Sequence, residues 1–493
     1  MDKKGIISYF LEKGILIDSK IIEIIPDNLS IQFVNFLERK LSDKKYLDKD
    51  DFCYYLDLFE KDNYFFTNLE VIYNYKDNLK KREVQDFVKY FKNRYETIKG
   101  FLVNRPELEG VISISRLKDK RERERISLIG VVLDKIFTKN GNCIIKLEDN
   151  TGIINVIIGK TKENLKDIVD ELVLDEVIGV RGVYGKDIIF CNDIIFPDIP
   201  LSKELKKCND DVYAVFISDI HYGLKEFLEE EFLNFISWLA GLYGDDAQKK
   251  LSKKVGYLFI VGDLVEGVGI YPGQENDLLI KDIKDQYKGI SKLLAKIPEH
   301  IKIIICGGNH DAMRIAEPQP LFDRDFCSSL YTLKNVTLVS NPSIINIHKK
   351  DNFSGFDILL YHGYSFIYFS EVINNIRLKG GQERSDLIMK LLLRKRHLAP
   401  THSSTLYLPD IYADPLIINK IPDIFASGHI HRVMVGNYRN IALLNCSCWV
   451  TQTKDMAKRG IVPHPAKVPL INLKTREVRI MNFLINSGVK NAI

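Results

Sequence analysis

The chain of 493 residues lacks long apolar runs and has almost no excess of charge of one sign. No stretch reaches the roughly 18 consecutive apolar residues that a membrane-spanning helix needs. The opening Met-Asp-Lys-Lys does not begin a secretory signal. A net charge of +4 on so long a chain means that any basic surface must be local. Together these features predict a cytoplasmic protein with no membrane partner.

The eight cysteines are scattered along the chain and form no Cys-x-x-Cys pair. Cys446 and Cys448 stand one residue apart in a strand-like run, so their side chains would point to the same face of a strand. Because neither a disulfide framework nor a zinc-binding spacing is present, we expect reduced, buried thiols.

A chain of this length is too long for one ordinary hydrophobic core, and two to four domains are expected. Residues 1–62 place apolar side chains at helical spacing, which predicts a small helical N-terminal domain. Two groups of residues carry this pattern, Ile6, Ile7, Phe10 and Leu11, and then Ile31, Phe33, Val34, Phe36 and Leu37. The second group follows a break at Pro26, with Ser30 as a candidate helix cap.

Residues 63–124 are rich in Tyr, Asn and Lys, and residues 118–125 alternate positive and negative charges. Alternating charge of this kind is typical of a solvated helix or a connecting segment. We therefore expect a linker here, with one weak strand at residues 110–114.

Residues 125–200 predict a small barrel of five strands. The order is three strands, a helix at residues 162–172 and two further strands, with a hairpin turn at Asn140 and Gly141. The run resembles the OB fold, which shows a similar Gly-x-Val and Asp-x-Thr-Gly pattern, here at residues 130–132 and 149–152. OB barrels bind oligonucleotides across one face, but they also serve as protein-protein modules. Both roles remain open for this barrel.

Residues 205–485 alternate strands with helices, and five strand-like runs each end in side chains that can bind metals. In chain order these side chains are Asp219 and His221, Asp263, Asn309 with His310 and Asp311, His362, and finally His429 and His431. Because open α/β sheets place their sites at the carboxyl ends of strands, we expect these groups to meet at one edge.

Carboxylate, imidazole and amide ligands together suit two divalent cations of the Mn, Fe or Zn type. Two such cations can clamp the attacking and leaving oxygens of a phosphate ester. Taken singly, a His after a strand is more often a core residue, and Asp263 or Asn309 could simply cap the next helix. The functional interpretation depends on all five strand ends together.

The order Asp-x-His, Gly-Asp, Gly-Asn-His-Asp, His and Gly-His-x-His resembles the calcineurin-like metallophosphoesterase superfamily. The resemblance implies that one cation is held by Asp219, His221 and His431, the other by Asn309, His362 and His429, with Asp263 between them. It also implies that His310 acts on the leaving oxygen and that Asp311 orients His310. Mn²⁺ is the leading candidate for the two cations, with Mg²⁺, Fe²⁺ and Zn²⁺ as alternatives.

The details of two motifs favour a phosphodiester over a phosphomonoester. Protein phosphatases of this superfamily carry an arginine where this chain has Gly267, and their third motif usually ends in Glu instead of Asp311. Four basic residues are candidates for contact with DNA phosphates, namely Arg314, Arg394, Lys395 and Arg396. A solvated helix face or a subunit contact would explain them equally well.

Across most of its length the chain resembles the small subunits of archaeal family-D DNA polymerases. Three short sequence segments support this resemblance. They are Gly-Asp-Leu-Val-Glu-Gly-Val-Gly-Ile-Tyr-Pro-Gly-Gln at 262–274, Ala-Glu-Pro-Gln-Pro at 316–320 and Arg-His-Leu-Ala-Pro at 396–400. The resemblance implies a multidomain α+β protein, with a helical N-terminal domain, an OB barrel and a phosphoesterase β-sandwich flanked by helices at residues 205–485.

It also implies a 3′-to-5′ exonuclease acting on DNA beside a large polymerising subunit, in a heterodimer or larger assembly. Two alternatives remain: a structural subunit whose site is little used, and a stand-alone phosphoesterase acting on nucleotides or phosphoproteins. Residues 481–493 contain no Gln-led motif with paired aromatics, so direct binding of a sliding clamp through this tail is not expected.

Overall fold

A computed structural model describes residues 3–24, 33, 37, 40–41, 46–62, 67–77, 81–350 and 352–485. The chain divides into two compact units, Met1–Thr67 and Asn68–Ile493. No helix among these described residues is long and apolar enough to cross a membrane.

The first unit consists of short helices and two paired short strands. Its elements are α1 (Lys3–Glu12), β1 (Leu16–Ile17), α2 (Ser19–Ile24), β2 (Tyr46–Leu47) and α3 (Lys49–Asp62). Phe10, Ile21, Phe33, Leu37 and Phe52 are buried together in its core, as expected from helical spacing of apolar residues. The other residues of the second predicted apolar group, Ile31, Val34 and Phe36, lie outside the described residues, as do Pro26 and Ser30.

The linker expected over residues 63–124 is wrong for the described part of that segment. Strand β3 (Leu69–Asn74) pairs antiparallel with a strand near residue 345, and α4 (Val84–Val103) is an amphipathic helix of 20 residues. Arg94 of α4 is fully buried and its Nε bonds the Asp414 carboxylate at 2.6 Å. The expected weak strand at 110–114 is reduced to a single bridge at Val111. The alternating charges at residues 118–125 are exposed or half-buried as expected, but β3 and α4 of the same segment have partners hundreds of positions away.

The predicted five-stranded barrel is confirmed. It contains β4 (Arg125–Phe137), β5 (Cys143–Asp149), β6 (Gly152–Ile158), α5 (Glu163–Glu171), β7 (Val177–Gly185) and β8 (Ile188–Ile195). The strands close in the order β4-β5-β6-β8-β7, with β6 and β8 parallel and the other neighbours antiparallel. Alternate residues such as Leu128, Ile145, Val156 and Val180 fill the interior, as the two-residue period of a strand requires.

Two six-stranded sheets form the rest of the second unit. The first sheet has the order β12-β11-β10-β9-β18-β19, from β9 (Tyr213–Ile217), β10 (Val255–Val261), β11 (Lys302–Cys306), β12 (Val336–Val339), β18 (Lys467–Asn472) and β19 (Val478–Asn482). The second has the order β16-β17-β15-β14-β13-β3, from β13 (Ser343–Ile347), β14 (Phe356–Leu360), β15 (Ile424–Ser427), β16 (Met434–Tyr438) and β17 (Ile441–Asn445).

Each sheet packs helices against one face. On the first sheet lie α6 (Glu229–Leu239), α7 (Asp246–Ser252), α8 (Ile283–Leu294) and α9 (Arg324–Cys327), with Trp238 and Tyr287 fully buried. On the second lie α10 (Phe366–Val372), α11 (Asn374–Arg377) and α12 (Ser385–Lys395), while α13 (Lys454–Lys458) stands apart. Strands β9, β10, β14 and β15 are buried along their whole length, as strands covered on both faces must be. The expected sandwich of sheets flanked by helices is confirmed.

Candidate active site

Strand register brings the predicted site residues to one edge. Ile217 of β9 pairs with Ile260 of β10, and Ile260 pairs with Ile305 of β11, so these three parallel strands end level. In the second sheet Leu360 pairs with Ala426 in the same way. Each predicted ligand follows its strand end by two to four residues, and the side chains converge because parallel strands share one carboxyl edge.

The backbone at these strand ends is unusual. Five of the seven predicted metal ligands have positive φ angles in the left-handed region, namely Asp219 (50°), His221 (51°), Asp263 (51°), His429 (69°) and His431 (57°). Each such conformation costs a residue with a side chain on the order of 1–3 kcal/mol and persists only where its surroundings enforce it. Strain repeated at five converging positions is typical of a functional site.

Asp219, His221 and His431 form one group of ligand atoms. The Nε2 atoms of His221 and His431 lie 3.0 Å apart, and His431 Nε2 lies 3.3 Å from Asp219 Oδ1. All three side chains are buried or nearly so. One carboxylate and two imidazoles aimed at a common point could hold one divalent cation.

Asp263, His362, His429 and Asn309 form a second group. His362 Nε2 lies 3.2 Å from Asp263 Oδ2 and 3.1 Å from Asn309 Oδ1, and the His429 ring stacks edge-on 5.1 Å from that of His362. Asp263 also lies 3.8 Å from His221 Nε2, so its carboxylate stands between the two groups. This is the position that a bridging ligand would occupy.

The hydrogen bonds of the histidines fit metal binding. His362 Nδ1 bonds the carbonyl oxygen of Val261 at 2.8 Å, and since a carbonyl only accepts, Nδ1 carries a proton and Nε2 is the ring atom left to bind a cation. His221 is fixed in the same way by the Glu266 carboxylate, 2.7 Å from its Nδ1. His429 Nε2 is buried without a hydrogen-bond partner among the described residues. Such outer contacts are the usual way in which proteins orient metal-ligating histidines.

The charges of the cluster also favour cations. Burial opposes ionisation of Asp263, but the charges of His362 and His310 hold the pKa of its carboxyl well below the ordinary value. Burial works against protonation of His362, yet the Asp263 carboxylate raises its pKa to about 9. Burial and the charge of His362 lower the pKa of His429 to about 3. The site thus keeps ionised carboxylates that need positive charge, which divalent cations can provide.

Glycines leave room for this arrangement at two positions. A Cβ on Gly308 would lie 2.2 Å from Asp263 Oδ1, and one on Gly262, where φ is 84°, would lie 2.2 Å from His362 Nδ1. Neither position can accept a side chain without displacing a predicted ligand. The lack of a side chain at the glycines that precede Asn309 and Asp263 is therefore a steric requirement of the site.

His310 is oriented by Glu266, a residue that the sequence analysis did not single out. His310 Nδ1 donates to the Glu266 carbonyl oxygen at 2.9 Å and lies 3.5 Å from its carboxylate. The implied role of Asp311 as the orienting group is therefore corrected. The signal available in the sequence was an acidic residue three positions after Asp263, followed directly by Gly267.

Asp311 instead braces the backbone of the site. Its carboxylate accepts hydrogen bonds from Gly308 N at 2.9 Å, Leu264 N at 3.3 Å and the Tyr287 hydroxyl at 3.0 Å. Burial, together with the nearby charge of Asp263, raises the pKa of Asp311 to about 7. Asp311 therefore links the segment after Asp263 to the segment around Gly308 through hydrogen bonds.

The four basic residues predicted to contact DNA are engaged within the chain. Lys395 is buried and bonds Glu176 at 2.5 Å, and Arg394 pairs with Glu171 of the barrel domain. Arg396 is buried and donates to the carbonyls of Ile418 and Asn419. Arg314 pairs with Asp77 at 2.5 Å. The interpretation as a DNA surface is wrong for Lys395 and Arg396, which are buried. For Arg314 and Arg394, whose side chains are partly exposed, it stays a prediction.

The site opens into a cleft of about 500 Å³ whose floor includes Asp263, Asn309, His310, His429 and His431. A second space of about 260 Å³ continues past His310 and His431 to His221 and Glu266. Side chains of α10 and of the α13 region form the walls. The two groups of ligand atoms are therefore accessible to a substrate.

Comparisons with known proteins agree with this geometry. The sequence model of the calcineurin-like phosphoesterase family matches residues 213–433, which include all seven predicted ligands. The chain is 38% identical over 390 residues to the DNA polymerase II small subunit of Methanothermobacter thermautotrophicus, covering 79% of this chain and 78% of that protein. It is 40% identical over 392 residues to that of Methanocaldococcus jannaschii, covering 79% and 64%. For that of Pyrococcus abyssi the values are 37% over 403 residues, covering 81% and 63%.

The matched part of the chain thus spans more than two thirds of the first relative but slightly less than two thirds of the other two. Sequence identity at this level, over about four fifths of the chain, is far higher than a shared fold alone would require. The chain belongs to the family of archaeal DNA polymerase II (family D) small subunits, and it carries that family's calcineurin-like phosphoesterase domain.

Proposed function

We propose that this chain is a 3′-to-5′ exonuclease that hydrolyses phosphodiester bonds at DNA 3′ ends with the help of two divalent cations. The observation that carries the proposal is the complete ligand set around Asp263. Two groups of imidazole and carboxylate atoms, each gathered within 4.8 Å, meet at Asp263, which belongs to the second group and lies 3.8 Å from His221 of the first. Both groups open into a cleft. A site retained only as a relic would not need five strained backbone positions.

Asp219, His221 and His431 would hold one cation, Asn309, His362 and His429 the other, and Asp263 would contact both. When bound, the cations would supply Lewis acidity, neutralising developing charge on the phosphate and lowering the pKa of water. The chain prepares for this by fixing Nδ1–H of His221 and His362, so that both Nε2 atoms face inward. Mn²⁺ is the cation to test first, followed by Mg²⁺, Fe²⁺ and Zn²⁺.

His310 would transfer a proton to the oxygen that leaves the phosphate. Its Nδ1 is occupied by the Glu266 carbonyl, so Nε2 is the ring nitrogen directed to the substrate. The Glu266 carboxylate also lies 3.5 Å from this Nδ1. His310 also lines both parts of the cleft. A positioned acid of this kind contributes about 10²–10⁴-fold in rate.

Gly267 supports a diester as the substrate. Its φ is 79°, and a Cβ there would lie 2.3 Å from the His310 carbonyl oxygen. Its backbone N–H is bonded to Gln286 at 2.9 Å. An arginine that grips a terminal phosphate cannot occupy this position without displacing His310, so the chain lacks the monoester grip at this point.

The relatives are described as small subunits of a DNA polymerase. We infer that this chain likewise works beside a large polymerising subunit, in a heterodimer or larger assembly, and that its nuclease removes misincorporated nucleotides. The barrel would contact either DNA or that subunit.

The test is degradation of 5′-labelled single-stranded and 3′-mismatched DNA by the purified full-length chain, with Mn²⁺ or Mg²⁺. We expect a ladder that shortens from the 3′ end, abolished in Asp263→Asn and reduced at least about 100-fold in His310→Ala. His402→Ala, which removes an exposed histidine outside the cleft, is the matched control. Absence of degradation with every cation, or equal rates in wild type and His310→Ala, would contradict the proposal.

A further inference from the structure

The cleft has two chemically different walls. One wall is formed by Tyr364, which lies just before α10, and by Ile367, Tyr368 and Glu371, which follow one another at helical spacing on α10. The opposite stripe of the same helix, Phe366 and Phe369, is fully buried in the core. The two tyrosines, called here the tyrosine wall, are only partly buried, so their rings are available to a ligand.

The other wall comes from the α13 region. Met456 and Arg459 line the cleft at a spacing of three residues, and Met456 packs against the small apolar cluster of Leu224, Cys448 and Val450. Arg459 is the cationic residue of this lining, and Lys454 and Lys458 stand close to it in the chain but outside the lining. All three are exposed and are called here the basic wall. The only acidic lining residue contributed by α10 is Glu371, and it stands on the tyrosine side. Charge therefore favours a phosphate backbone along one wall and disfavours it along the other.

We propose that the tyrosine wall stacks the unpaired base of the 3′-terminal nucleotide while the basic wall guides the phosphodiester backbone to the ligand cluster. The inference rests on the proposed function and adds how that site recognises its substrate. Aromatic side chains stack on any base and lysine or arginine side chains follow the backbone, which is the general way in which proteins bind single strands without reading sequence.

The size of the cleft explains why the terminal base must be unpaired. A volume of about 500 Å³ matches the pockets that hold single small ligands. The complementary strand would have no place in it. A paired end must therefore be opened first, which costs a few kcal/mol and least at a mismatch. Selectivity for misincorporated ends then follows from the shape of the site, without any contact to a specific base.

The test varies the terminal base and the tyrosine together. Single-stranded DNA with an ordinary 3′-terminal thymidine is compared with the same strand ending in an abasic residue, and kcat/KM is measured for the first cleavage. In wild type we expect the abasic end to react roughly ten- to hundredfold more slowly, because stacking is lost. In Tyr368→Ala the same ratio should fall below about threefold, and in Tyr368→Phe it should stay near the wild-type value.

Tyr412→Ala, which removes an exposed tyrosine outside the cleft, is the matched control and should keep the full ratio. Equal rates on both ends in wild type, or a full ratio in Tyr368→Ala, would overturn the inference while leaving the nuclease intact. If wild type cleaves neither strand, the proposed function itself fails and the inference fails with it.

The basic wall is tested by salt. Each phosphate contact to a single strand contributes about 0.7 to the slope of log affinity against log salt concentration. We therefore expect Arg459→Ala, which removes the cationic side chain that lines the cleft, to reduce the salt slope of 1/KM by about that amount. The abasic ratio should be unchanged. An unaltered slope would show that the DNA backbone does not follow the basic wall.

Discussion

His310 and Glu266 are joined through the backbone, since the Nδ1 atom of His310 donates to the carbonyl oxygen of Glu266 at 2.9 Å. The side chain of the same glutamate accepts from His221 Nδ1 at 2.7 Å and from Gln274 Nε2 at 3.0 Å. One residue therefore fixes the tautomers of a predicted metal ligand and of the predicted acid. Burial opposes ionisation of Glu266, but the hydrogen bond from His221 lowers the pKa of its carboxyl below the ordinary value.

Glu266→Ala should weaken cation binding without removing a ligand. The substitution leaves the His310 contact to the backbone in place but frees the His221 ring, and loss of such an orienting partner typically costs about 10–100-fold in metal affinity or activity. Titration calorimetry with Mn²⁺ on the full-length chain measures the change, and Glu266→Gln should recover part of it.

Glu229→Gln alters an exposed carboxylate at the start of α6 and serves as the control for that titration. We expect its Mn²⁺ affinity to equal that of wild type. An affinity of Glu266→Ala that also equals wild type would show that His221 is held by its neighbours alone.

Gly308→Ala should disable the site although it adds a single methyl group. The new Cβ would lie 2.2 Å from Asp263 Oδ1 and 2.5 Å from its backbone nitrogen, so the residue between the two cations must move. Overpacking of this kind costs about 1–3 kcal/mol, and we expect Mn²⁺ affinity to fall at least about tenfold. Calorimetry and a thermal melt measure both effects.

Gly100→Ala is the matched control, since a Cβ there meets nothing within 4 Å and the residue lies inside α4. It should raise the stability by about 0.5–1 kcal/mol through the higher helix propensity of alanine, with cation binding unchanged. If Gly308→Ala binds Mn²⁺ like wild type, the close approach to Asp263 is relieved by movement elsewhere.

The convergence of the five strand ends could be predicted from the sequence because it follows from local rules. An apolar strand that ends in Gly-Asp or Gly-Asn-His is recognisable in the sequence as a candidate site. Parallel strands must present their carboxyl ends at one edge of the sheet. The register in which Ile217, Ile260 and Ile305 pair then brings the three strand ends level with one another. Glu266 was missed because the direction of its side chain is set by the turn after Asp263, which periodicity does not describe.

The basic run near residue 395 and the expected linker failed for a different reason. Lys395 is paired with Glu176, 219 residues away, and Arg94 with Asp414, 320 residues away. Clustered charge predicts solvent exposure only where no distant partner is folded against it. Long-range pairs of this kind leave no local pattern, so sequence reasoning assigned both segments to the surface.

Asp311→Ala should reduce stability more than His310→Ala does. Asp311 accepts hydrogen bonds from two backbone groups and the buried Tyr287 hydroxyl, and leaving buried donors unsatisfied costs about 1–3 kcal/mol. Asp311→Asn retains an acceptor oxygen and should lose less. Urea unfolding measures the three variants, and an Asp311→Ala protein with the stability of His310→Ala would show that these three hydrogen bonds add no net stability.

The buried pair of Arg94 and Asp414 gives a pH-dependent prediction. Burial disfavours the Asp414 carboxylate, but Arg94, together with His397, holds its pKa well below the ordinary value. Because the pKa is lower in the folded protein than in the unfolded chain, the stabilisation is complete above about pH 4 and is lost as the pH falls below that value. Asp414→Asn leaves Arg94 buried without its counter-charge, which costs about 3–5 kcal/mol at pH 7.

Urea unfolding at pH 7, 5, 4 and 3 measures this difference between wild type and Asp414→Asn. We expect it to be largest at pH 7 and to shrink below pH 4, since the wild-type carboxylate then begins to lose its advantage over the unfolded chain. Asp193→Asn breaks the partly exposed pair with Arg181 and should change stability by less than about 1 kcal/mol at every pH. A difference for Asp414→Asn that is small at pH 7, or constant down to pH 3, would mean that Arg94 finds its compensation elsewhere, through the Pro400 carbonyl and the aromatic rings around it.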